Sequence, residues 1–106
     1  MKRRRPPRAA PDVTRTAFPL VGVFLRGYLH EDWEADFETA VEARDAFLDD
    51  ASAAERRAFA VECEALHVLT AALTLDEWLP VLHVRFGSAW QPASVDEVRQ
   101  VLRPRR

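Results

Sequence analysis

The sequence predicts an all-α protein, a compact bundle of about five helices joined by short loops. Apolar residues recur at three- and four-residue spacing in several windows, the period of a helix with one buried face. Helix-opening capping signals stand immediately before three of those windows. No alternating strand pattern of useful length interrupts them, and no segment repeats another. At 106 residues the chain is one domain, and a chain of this size buries roughly two-thirds of its unfolded surface.

The hydrophobic fraction of 48% and charged fraction of 30% fit a soluble globular protein. The net charge of −2 hides an asymmetry. Lys2, Arg3, Arg4, Arg5, Arg8 and Arg15 crowd the start, and Arg99, Arg103, Arg105 and Arg106 close the chain, so the middle is strongly acidic. Residues 1–15 also carry Pro6, Pro7 and Pro11 and little that is apolar. Such a segment reads as a disordered basic arm ahead of a single helical domain over 16–103. The lone cysteine, Cys63, excludes an internal disulfide framework and fits a reducing cytoplasm. The apolar run Phe18 to Leu25 is too short for a bilayer, which needs about 20 residues. It is interrupted by Gly22, ended by Arg26 and followed by no small-residue cleavage site. A cytoplasmic protein without a membrane partner is expected.

Pro19 suits the first turn of a helix reaching about Leu29, with Thr16 as its cap. Leu20, Val21, Phe24, Leu25 and Tyr28 form its apolar face, and Gly22 and Gly27 point to close approach or an early end. Residues from His30 to Thr39 lack a period and make a loop or short turn carrying Trp33 and Phe37. A second helix, from about Thr39 to Asp49, buries Val41, Phe47 and Leu48. On it Glu38, Glu42, Asp45 and Asp49 fall four, three and four apart, hence on one face. Ser52 with Glu55 is a capping box for a helix reaching about Leu73, with Phe59, Cys63, Leu66, Leu69 and Leu73 inward. Thr74 with Glu77 is a second box, opening a helix that carries Trp78, Leu79, Leu82 and Phe86. Pro80 breaks or kinks it and Gly87 ends it. Trp90 folds back from a loop. Ser94 with Glu97 is a third box, before a terminal helix with Val95, Val98, Val101 and Leu102 inward.

Little in this pattern points to chemistry. His30, His67 and His83 stand at no zinc-site spacing, and Cys63 lies on an apolar stripe where it reads as a small buried hydrophobe. No glycine-rich phosphate loop, nucleophile elbow or calcium loop is present. No cofactor, metal site or catalytic residue is assigned, and the protein is expected not to be an enzyme. The informative stretch is Gly27-Tyr28-Leu29-His30-Glu31-Asp32-Trp33 and the acidic run behind it, in which Arg44 is the only opposing charge up to Asp50. Aromatic side chains ringed by charge are the composition of a binding surface. Negative charge repels nucleic acid and steers a basic protein partner. The candidate partner-binding residues are Tyr28, Glu31, Asp32, Trp33, Glu34, Asp36, Phe37, Glu38, Glu42 and Asp45. Within them Tyr28 and Trp33, together with His30, build and hold the turn, while the acidic face beyond touches the partner.

Phe18-Pro19-Leu20, Phe24-Leu25 and then Tyr28-Leu29-His30-Glu31-Asp32-Trp33 resemble the opening of one group of contact-dependent growth inhibition immunity proteins. That group has an aromatic-Pro start, a Tyr-aromatic-His-polar-Asp-Trp signature and a following helix with a Phe-Leu pair, matched by Phe47-Leu48. Leu29 departs from the aromatic, the C-terminal part is echoed only by Phe86, Gly87, Trp90 and Pro92, and the basic arm has no counterpart. The resemblance implies a cytoplasmic protein that binds and blocks the toxic C-terminal domain of a delivered effector. Many such toxins are nucleases with basic grooves, and no small-molecule substrate is implied. Two other readings stand beside it. One is a nucleic-acid-binding regulator using the arm at Arg3–Arg5, the other a small metal-dependent enzyme built on His30 and Asp32.

Overall fold

The structure, a computed structural model, describes Val13 and residues 16–104. Among these the chain forms α1 (Pro19–Gly27), α2 (Trp33–Asp36), α3 (Ala40–Asp50), α4 (Ala53–Leu69), α5 (Leu75–Pro80) and α6 (Val95–Val101). A π-helical turn, Val81–Arg85, continues α5, and no strand is present among the described residues. The all-α class holds, with α2 as the short turn expected between the first two long helices. The expected arm lies outside the described residues apart from Val13, which is fully buried in the core.

Four helices, α3 to α6, open on hydroxyl caps. Thr39, Ser52 and Thr74 are extended, and their side chains accept from the amides of Glu42, Glu55 and Glu77. Glu55 and Glu77 reach back to the cap amides at 2.8 and 2.9 Å, completing two reciprocal boxes. The third expected box is altered. Ser94 accepts from Glu97, but the Glu97 carboxylate takes the amide of Ala93, one residue earlier, at 2.7 Å.

α1 has no such cap. Phe18, not Thr16, occupies the cap position, and its ring is buried. The orphan amides of Leu20 and Val21 instead donate to the two carboxylate oxygens of Glu62, on α4, at 3.2 and 2.9 Å. A carboxylate at a helix N-terminus is favourable twice, through hydrogen bonds and through the helix dipole.

Helix C-termini are likewise closed by side-chain donors from other helices. Arg44 is 6% exposed. Its Nη1 is shared among the carbonyls of Gln100, Val101 and Arg103 at 3.1, 3.4 and 2.9 Å, at the end of α6. Its Nε donates to Asp45 at 2.9 Å. Arg56 donates to the carbonyls of Leu48 and Ala51 at the end of α3. His67 Nε2 donates to the Leu102 carbonyl at 2.6 Å. That leaves His67 Nδ1 and also Trp78 Nε1 as buried polar atoms without a partner among the described residues, for which the fold offers no compensation.

Inside, Phe47 stands 5.1 Å from Phe59 and 5.6 Å from Phe24 by ring centroid, and Phe24 meets Phe59 edge-on at 6.1 Å. Those rings join α1, α3 and α4. Trp78, Leu82, Phe86, Trp90, Val98, Val101 and Leu102 complete the core, with Trp90 folded back as expected. Two expectations about the inner faces change. α4 ends at Leu69, which is 48% exposed, and the inner stripe runs Phe59, Cys63, Leu66, Thr70. Thr70 is the C-cap and donates its hydroxyl to the Leu66 carbonyl at 2.7 Å, and Leu69 falls about a quarter turn off the stripe. On α3, Val41 is only half-buried, and Ala40, Ala43 and Arg44 sit inward with Phe47 and Leu48.

Pro80 lacks the amide a continuing α-helix needs, and the chain widens after it. Phe86 donates to the carbonyl of Val81, five residues back, and Ser88 to that of Leu82, six back. Gly87 between them has φ 72°, so this left-handed position stops the helix as its glycine predicted. The Cys63 thiol is pushed up to about 12 by burial and by the nearby Glu62 carboxylate, against a smaller opposing pull from Arg44.

Truncating Arg44 to alanine should therefore lower stability by about 3 kcal/mol, because the α6 carbonyls lose their donor. The Asp45 it leaves behind is partly hydrated, which holds the loss near the lower end of the range. Glu62→Ala should lower stability by about 1–2 kcal/mol, as for a lost cap, and exposed Arg56→Ala by about 0.5 kcal/mol or less. Urea unfolding midpoints would rank the three. Cys63 should resist thiol reagents in the folded protein and react once the chain is unfolded, as read by thiol titration in rising urea.

Candidate functional site

The corner after α1 is fastened on three sides. Tyr28 caps α1 through its amide, donated to the Phe24 carbonyl, and its hydroxyl donates to Asp50 at the far end of α3 at 2.6 Å. Its ring stacks on Phe37 at 6.4 Å and meets Phe47 edge-on at 5.4 Å. Next, Leu29 is fully buried, and its carbonyl accepts both the Ser88 hydroxyl and the Ala89 amide at 2.9 Å. The loop after the π-turn is thereby stitched to the corner. His83 adds to the same loop by donating Nε2 to the Trp90 carbonyl at 2.7 Å.

His30 then turns the chain. Its Nδ1 accepts the amide of Asp32 at 3.1 Å, and its carbonyl accepts the amide of Trp33. Because an amide only donates, Nδ1 holds a lone pair here and any ring proton sits on Nε2. Both contacts belong to the turn that starts α2. Trp33 and Phe37 are half-buried, each packed on the core with one side left to solvent.

The acidic side chains divide into two groups. Glu31, Asp32, Glu34, Asp36 and Glu38 are exposed, and their carboxylates make no hydrogen bond or ion pair with the described residues. Three others are committed to the fold. Glu42 accepts the amide of Glu38 at 3.0 Å, Asp45 holds Arg44, and Asp50 holds Tyr28. The expected four-carboxylate face of α3 also loses a member. Glu38 precedes the extended cap Thr39 and lies off the helix. Arg44, expected to offset the acidic run, points inward to α6 and neutralises only Asp45. Sequence reasoning missed Asp50, Ser88 and Arg44 as supports of this region, and no local signal marks them.

Among the described residues no three His, Cys, Asp or Glu side chains gather as a metal-holding group, and no helix is long and apolar enough to cross a membrane. His30 and Asp32 meet through ring and backbone, not through their functional ends.

The profile of the CdiI immunity protein family matches residues 17–102, which takes in every helix and the whole corner. The chain belongs to this family. No curated protein and no solved structure matches it. Membership implies an immunity role and a cognate toxin as partner. The match begins at Ala17, beyond the basic residues of the N-terminal segment.

The tyrosine hydroxyl is pushed up to about 12, mainly by its hydrogen bond to Asp50, then by partial burial and the carboxylate's charge. Only the protonated phenol donates, so folding favours the neutral form. The unfolded chain loses the proton near pH 10 while the folded one keeps it, so this stabilisation is complete below about pH 10 and is lost as pH rises towards 12. Tyr28 is the only tyrosine. Its tyrosinate absorbance should titrate near pH 12 in the native protein and move towards 10 in Asp50→Ala.

Proposed function

We propose that this immunity protein neutralises a contact-dependent-inhibition toxin whose active domain is a nuclease, by presenting the exposed acidic turn around α2 to a basic surface of that domain. The observation that carries the reading is the division of the carboxylates. Those needed for the fold are tied down at Glu42, Asp45 and Asp50. Those of Glu31, Asp32, Glu34, Asp36 and Glu38 are left together and exposed on one short stretch, beside the half-buried rings of Trp33 and Phe37. Like charges held this close disfavour the free protein and are relieved when a cationic partner arrives. A nuclease groove that binds phosphates is such a partner.

The rigid corner suits the task. Leu29, Ser88 and Tyr28 fix the backbone beneath the turn, so little ordering entropy is lost on association. Tyr28 is committed to Asp50 and Phe37 and acts as a support, while Trp33 and Phe37 supply the apolar centre. Glu42 and Asp45 form the rim. The protein acts by occupying a surface and carries out no reaction.

Reversing Glu31, Glu34 and Asp36 to lysine together should weaken binding to the cognate toxin domain at least about tenfold, mostly through a slower, less salt-dependent association. The far-UV circular dichroism should not change, since none of the three is used in the fold. Undiminished binding, measured by surface plasmon resonance across ionic strengths, would rule the turn out. Reversing Glu42 or Asp45 is the poorer experiment, because each holds a helix end.

A further inference from the structure

The face of α4 opposite the core carries a row that nothing in the described structure covers. Phe59, Cys63 and Leu66 turn inward, and on the other side Arg57, Val61, Glu64 and Val68 follow one another four, three and four residues apart. All four are exposed, Val61 at 66% and Val68 at 75%. Ala54 and Ala65, also exposed, flank the row and leave it smooth. Two valines in such positions gain nothing as helix formers and little as surface residues.

The charges in the row are unspent as well. Arg57 and Glu64 form no ion pair or hydrogen bond with the described residues. Seven positions apart, they are separated by roughly 10 Å along the axis, too far to pair within one helix. An antiparallel second copy changes that. With a two-fold axis between residues 60 and 61, Arg57 of each copy lies opposite Glu64 of the other. Val61 meets its own counterpart near the axis, and Val68 lies over Ala53 and Ala54 of the other copy. A surface that is its own complement under a two-fold rotation is the requirement for an isologous dimer.

We infer that this face of α4 is a homodimer interface, formed by antiparallel pairing of two α4 helices through Arg57, Val61, Glu64 and Val68. A row without net charge suits a second copy better than a basic toxin groove, which favours the acidic turn. A single helix pair buries less than the roughly 1,200–2,000 Å² of a stable complex, so the association is weak and is weakened further by salt. No residue of the acidic turn lies on α4, and the inference does not depend on the toxin surface proposed above.

Sedimentation equilibrium of the full chain at low salt, up to about 1 mM, tests it. The wild-type protein should dimerise. Arg57→Glu and Glu64→Arg should each weaken dimerisation about tenfold by placing like charges opposite each other twice. An equimolar mixture of the two variants should associate at least as well as wild type, because both pairs are then restored as opposite charges. Circular dichroism checks that each variant is folded. A wild-type protein that stays monomeric throughout would overturn the inference, as would a dimer indifferent to both reversals. So would a monomeric protein whose toxin binding is lost on either reversal, since the face would then belong to the toxin.

Discussion

The fold depends on closing helix ends with charged side chains that come from elsewhere in the chain. α1 and α6 are nine and seven residues long, well short of the roughly 12–15 at which an isolated helix becomes even marginal in water. In helices this short the unpaired backbone groups at the two ends are about as numerous as the internal pairs. Glu62 takes two of those at the start of α1, and Arg44 takes two at the end of α6 and a third carbonyl just beyond it, at Arg103. Both side chains also tie their helix to a longer one, α4 or α3. Hydrophobic burial brings the helices together, and these bonds close the start of α1 and the end of α6.

This arrangement governs what remains for the outside. A helical protein with an acidic middle has to hold like charges close together, at some loss of stability. Here the loss is limited by giving part of the acidic run structural work. Asp45 offsets a buried guanidinium, Glu42 supplies an acceptor ahead of α3, and Asp50 fixes the only tyrosine. The carboxylates left over fall on α2 and its approaches, the shortest helix. That turn keeps its shape because Leu29 is buried and its carbonyl is bonded from the loop at Ser88 and Ala89. A strongly charged surface is thus carried by a rigid support, the combination that favours fast, specific association.

Much of the architecture was legible from short-range pattern. The Ser52 and Thr74 boxes, the stop at Gly87, the break at Pro80 and the return of Trp90 to the core all follow from residues within a few positions of the event. The inner faces were legible to the extent that period determines them. They failed at Leu69, where the helix closes and the buried position passes to Thr70, and at Arg44, where a charged residue sits at a core-facing position because three carbonyls await it. The candidate site was legible as a region but not as a set of roles. Charge density marked the stretch from Glu31 to Asp50, yet nothing local distinguishes the carboxylate of Asp50, bonded to a hydroxyl 22 residues away, from that of Asp36, bonded to nothing described.

The sequence by itself determined the helical class, the order and approximate limits of the helices, most of the core and the acidic character of the middle. These rest on helical period, capping chemistry and composition, all properties of neighbouring residues. Only the tertiary structure decided which charges are spent and which are free. The reason is one of reach. Glu62 meets α1 across 41 and 42 positions, Arg44 meets the end of α6 across 56 to 59, and Ser88 meets Leu29 across 59. Whether a carboxylate ends as a cap, a counter-ion or an open surface charge is set by what packing brings within hydrogen-bond distance of it.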